Sequence, residues 1–126
     1  MKKATIIKTS VVTLALGAGL AVATFSFAAN EKNEAATETI QGEVVDLMCY
    51  LDHGAMGPKH RGCATICIRS GGPVGLLSGD KLYLVVGDHK PINEELVSKA
   101  AETIRIKGKV VERNGMRMIE NAEIVK

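Results

Sequence analysis

Three cysteines and two histidines share one short stretch of this chain: Cys49, His53, His60, Cys63 and Cys67. The stretch holds every cysteine in the protein and two of its three histidines. Thiols and imidazoles at such spacing can bind a soft or borderline metal ion, form a disulfide, or exchange electrons with another thiol pair. Because the cysteine count is odd, pairing alone cannot use them all. Met48 and Met56 add soft thioethers beside the cluster, which admits copper(I) as well as zinc. The stretch has neither the paired C-x2-C knuckles of a zinc ribbon nor the C-x-x-C-H motif of covalent haem attachment.

The N-terminal residues bear on which of these chemistries applies. Residues 1–28 read as a cleaved signal peptide: Lys2, Lys3 and Lys8 precede an apolar stretch over residues 11–22, and Ser26-Phe27-Ala28 offers small residues at the cleavage positions. The apolar stretch is short for a ~20-residue membrane span, so no stable membrane anchor is expected after cleavage. The chain is therefore expected outside the cytoplasm, periplasmic or extracellular, where free thiols rarely persist without partners. Three of the sixteen basic residues leave with the signal, so thirteen remain against fourteen acids. A near-neutral domain whose only aromatic residues are Tyr50 and Tyr83 has neither the charge nor the stacking rings for nucleic acid.

The remaining chain is one domain in size. Residues 29–38 are polar and Ala-rich and read as a flexible leader, with the folded domain at 39–126. The alternation of Ile40, Val44, Val45, Leu47 and Met48 predicts a strand over residues 39–48 that delivers Cys49 at its end. Gly57-Pro58 starts a helix expected over residues 58–70, stopped by Gly71-Gly72. On it, spacings of three and four place His60, Cys63 and Cys67 on one face. Two short apolar runs around Ser78-Gly79-Asp80 read as a hairpin. Asn93 then reads as the N-cap of a helix reaching about Ala101. Residues 103–112 and 116–125 read as strands joined at Asn114-Gly115, with Gly108 marking a bulge.

Without the inserted Cys/His segment (residues 49–72), the order is three strands, a helix and two strands. Together with the Lys107-Gly108-Lys109-Val110-Val111 and Asn114-Gly115 pattern, this order resembles the small exported bacterial OB-fold proteins. The resemblance implies a mostly β, five-stranded barrel with a helix between strands three and four. This chain departs from that pattern by carrying a cysteine-bearing helix after strand one.

The easiest site unites Cys49, Cys63 and Cys67 with His53 or His60 as fourth ligand, a Cys3His set for zinc or copper. Two other uses compete. Cys49 could pair with Cys63 or Cys67, a staple contributing roughly 3 kcal/mol, in a protein-interaction module of the cell envelope whose partner is an envelope protein. Or the thiols could carry out thiol–disulfide redox exchange, although C-x3-C is not the usual redox spacing. Cys63 and Cys67, flanked by Ala64 and Ile68, also fit as plain core residues. His89 reads as an exposed loop residue, and Asp46 and Asp52 as solvent-facing carboxylates able to hold an imidazole N–H. No Ser-His-Asp set or separated carboxylate pair is visible, so the chain reads as a binding protein rather than a hydrolase.

Overall fold

The computed structural model describes residues 36–126. The expected signal peptide and residues 29–35 of the expected leader lie outside that range. Five strands, β1 (Thr37–Asp46), β2 (Val74–Ser78), β3 (Lys81–Val85), β4 (Thr103–Arg113) and β5 (Met116–Val125), close into a barrel in the order β1-β2-β3-β5-β4. All neighbours are antiparallel except β3 and β5, which run parallel with Tyr83 opposite Arg117.

Alternation explains the strands. In β4 the side chains of Arg105, Lys107 and Lys109 face solvent while Ile106 is fully buried, so one face is wet and the other lines the interior. Leu76, Tyr83, Val85 and Ile119 complete that interior from the other strands. Strand β1 starts earlier than expected, because β4 is long and its backbone needs partners. Thr37 pairs with Lys109, Glu38 with Gly108, and Val110 N–H donates to Ala36 O.

Both hairpins form at the expected turns. Asn114 and Gly115 take φ of 52° and 82°, the left-handed pair that a two-residue hairpin of this hand requires. The β4–β5 register shifts between Lys107 and Lys109, which is the expected bulge at Gly108. A Cβ on Gly108 would stand 2.5 Å from Ile119 Cγ2 and 2.7 Å from Glu120 O. Because one of those neighbours is backbone, Gly108→Ala should destabilise the protein by about 1–3 kcal/mol, read as a lower urea midpoint at unchanged slope.

Three helices join the strands: α1 (Leu47–His53) and α2 (Arg61–Arg69) between β1 and β2, and α3 (Asn93–Leu96) between β3 and β4. Ala64 and Ile68 of α2 and Leu96 of α3 belong to the same core cluster as the barrel residues. Helix α3 is shorter than expected and passes into a 3-10 turn over Val97–Lys99. Its cap is Ile92, not Asn93. The Asn93 amide instead donates to Ile68 O and Gly72 O, 2.8 Å each, and so ties the end of α2 to α3. Those two carbonyls outcompeted the capping role expected from residue type alone.

Candidate metal centre

The site is built on α1, which sequence periodicity did not reveal. The strand expected to run to Met48 ends at Asp46, and Cys49 lies on a helix rather than at a strand end. Asp46 ends the strand because its side chain caps the helix: Oδ2 accepts from Cys49 N–H at 2.9 Å. Gly54, left-handed at φ 71°, closes α1 by donating its N–H to Tyr50 O. Glu43 Oε1 on β1 then accepts the Gly57 N–H, which draws the loop back against the barrel.

Pro58 opens a 3-10 turn, Pro58–His60, before α2 begins at Arg61. The helix expected over residues 58–70 is thus two pieces. Cys63 and Cys67 lie one turn apart on α2, while His60 occupies the cap position, so the shared helical face expected for His60 stops short of it.

Cys49 from α1 meets Cys63 and Cys67 from α2. The three sulfurs all lie within 4.8 Å of one another, close enough to hold one metal ion. Cys49 Sγ and Cys63 Sγ are 3.8 Å apart. Two sulfurs bound at ~2.3 Å to a common tetrahedral ion sit about 3.8 Å apart, whereas a disulfide requires about 2.05 Å. No disulfide joins any of the three cysteines. Cys63 is exposed and the other two are half-buried. Gly72 is packed beside the end of α2: a Cβ there would stand 2.8 Å from Met48 Cε, 2.9 Å from Cys67 O and 3.2 Å from Asp46 Oδ1.

Neither His53 nor His60 belongs to the sulfur group. His60 lines a hollow with Cys49, Cys63 and Met56. The ring centroids of His53 and His60 are 6.4 Å apart and tilted by 56°. Asp52 faces solvent as expected, with its Oδ2 3.1 Å from His53 Nδ1. His89 is exposed, with its Nδ1 3.1 Å from Glu120 Oε1.

Asp46 is the residue that sequence reasoning misplaced. Expected at the surface, it is only 2 % exposed. A carboxylate three residues ahead of a helical N–H is the signature of a capping aspartate, and that spacing to Cys49 was the available signal. Its burial shapes the thiols. Hydrogen bonding to the Asp46 carboxylate, then to Cys63, together with burial, pushes the Cys49 thiol up to about 12. Burial first, and then the charge of Asp46, also raises Cys67 above its ordinary value.

Thiols raised in this way stay protonated at neutral pH, and the thiolate is the nucleophile. Without metal, the reduced protein should therefore be alkylated by iodoacetamide first at the exposed Cys63 and last at Cys49. Asp46→Asn should speed the Cys49 reaction by removing the hydrogen bond to the carboxylate and, with it, the carboxylate charge. Peptide mapping of a time course reads both. Comparison with protein-family models, curated proteins and solved structures returned no match.

Proposed function

We propose that this chain is an exported, OB-like barrel protein that binds one thiophilic metal ion, zinc or copper(I), through Cys49, Cys63 and Cys67. The observation that carries the reading is the convergence of three sulfurs from two separate helices within 4.8 Å. Two of the three come from one helix turn, but Cys49 reaches them only because α1 and α2 fold back on each other. Three thiols gathered within 4.8 Å have no packing advantage over Ala or Val, yet the arrangement suits an ion that three thiolates can share. The OB-like description rests on the strand order and on α3 lying between the third and fourth strands. Export rests on the signal-like character of residues 1–28.

Native protein purified from the host envelope, analysed by intact mass, free-thiol count and bound metal, tests the proposal. Three free thiols in the denatured, metal-stripped chain with one equivalent of zinc or copper before stripping is the expected result. A mass deficit of two protons without metal would overturn it and favour a Cys49–Cys63 staple, the one pairing whose sulfurs stand in contact. That outcome would turn attention to the barrel as a protein-interaction surface.

A further inference from the structure

Among the described residues, one buried side-chain polar atom has no hydrogen-bond partner, and it is Asp46 Oδ1. Oδ2 of the same carboxylate is engaged by Cys49 N–H at 2.9 Å, so half of the group is used and half is bare. A buried carboxylate oxygen left without a donor costs more than a capping bond returns. Serine would cap α1 about as well without that cost. Apart from the Cys49 thiol beside it, no side-chain donor of the protein serves this carboxylate, which leaves room for a bound cation as its partner.

Its position indicates which partner. Asp46 lines the same hollow as Cys49, Cys63 and His60. Its Oδ1 borders the space above Gly72, together with Cys67 O and the Met48 thioether methyl. The competing imidazoles have no such unmet demand. His53 is exposed and already paired with Asp52, and His60 has access to water.

We infer that Asp46 Oδ1 supplies the fourth ligand of the ion held by Cys49, Cys63 and Cys67, a Cys3Asp set that selects a divalent ion of the zinc class over copper(I). The inference rests on the metal-binding reading above. In the structure the carboxylate lies beside Cys49 rather than within the tight group of three sulfurs, and ligation would require its side chain to move toward them. Carboxylate oxygen is an ordinary zinc ligand at ~2.0–2.2 Å. Copper(I) prefers thiolate and thioether and gains little from a hard oxygen. The oxygen donor thus discriminates between the two ions that three sulfurs alone would accept.

The test uses the full chain, reduced and stripped of metal, titrated with cobalt(II) and then with zinc(II). Wild-type protein is expected to show thiolate-to-cobalt charge transfer and the intense visible bands of a four-coordinate ion. Asp46→Asn keeps a helix-capping side chain, and circular dichroism checks that it folds. It should shift the visible bands and weaken zinc by on the order of 100-fold. Asp46→Cys should raise charge-transfer intensity per ion by about a third as a fourth thiolate joins. Spectra of both variants superimposing on wild type, or bands that move in His53→Ala or His60→Ala instead, would overturn the assignment and leave the metal reading standing. Stoichiometric copper(I) binding with no zinc or cobalt uptake would do the same. Failure of wild-type protein to bind any of the three ions would remove both.

Discussion

Cys67→Ser is expected to lower zinc affinity by on the order of 100- to 1,000-fold, read by competition with a chelator of known strength. A structural zinc site in a small peptide is worth about 10–16 kcal/mol over four ligands, so one ligand carries about 3 kcal/mol. Serine keeps the size of the residue but offers a neutral hydroxyl where the ion needs a thiolate. Cys67 is only half-buried, so its loss should leave the barrel intact, and circular dichroism should not change. Cys49→Ser and Cys63→Ser should behave alike, because all three sulfurs share one 4.8 Å group. Met56→Leu keeps the shape of the hollow's rim and should alter zinc affinity by less than about tenfold, as fits a residue outside the ligand set. An equal loss from the methionine change would show that the soft rim, not the cysteine triangle, holds the ion.

Ile68→Ala should destabilise the fold strongly, by about 2–5 kcal/mol. Ile68 has no exposed surface and joins the barrel core from α2, one residue beyond Cys67. Removing its side chain leaves a void where the helix meets the barrel, against a total stability of about 5–15 kcal/mol for a domain of this size. Chemical denaturation in urea reads the loss directly. The same change should weaken metal binding, since α2 carries two of the three sulfurs and Ile68 is what seats it. Added zinc should then recover part of the lost stability, because an ion bound only by the folded state stabilises it by mass action. If zinc raises the denaturation midpoint of wild type but not of Ile68→Ala, the helix and its sulfurs have come apart.

The barrel was readable from sequence because its signals are local. Asn114-Gly115 and Gly79-Asp80 mark turns by residue type, and Ile104, Ile106 and Val110 mark an inward face by alternation. The geometry of the centre was less readable, for three physical reasons. Helix α1 hides in an apolar run, since Leu47 and Met48 continue the strand's composition and periodicity cannot separate a short helix from a strand. The 3-10 turn at Pro58–His60 breaks the helical spacing that grouped His60 with the cysteines. Asp46 was read as solvent-facing because charged residues usually are. Only its place at the meeting of strand, helix and Gly72 buries it, and that place is a property of the folded chain.

One pairing in the barrel has a wider consequence. Asp46, where the chain leaves β1, lies directly opposite Val74, where it returns in β2, and Leu47 N–H still donates to Pro73 O. Adjacent strands stand about 4.8 Å apart, a gap that a two-residue turn can bridge. The whole excursion between them is therefore a detour that begins and ends at one point of the sheet. The sheet itself therefore does not depend on the excursion for its register, whereas the core does, because Ala64 and Ile68 fill it from α2. The cysteine unit is a detour in the sheet and a lid on the core, anchored at both ends by the same strand pair.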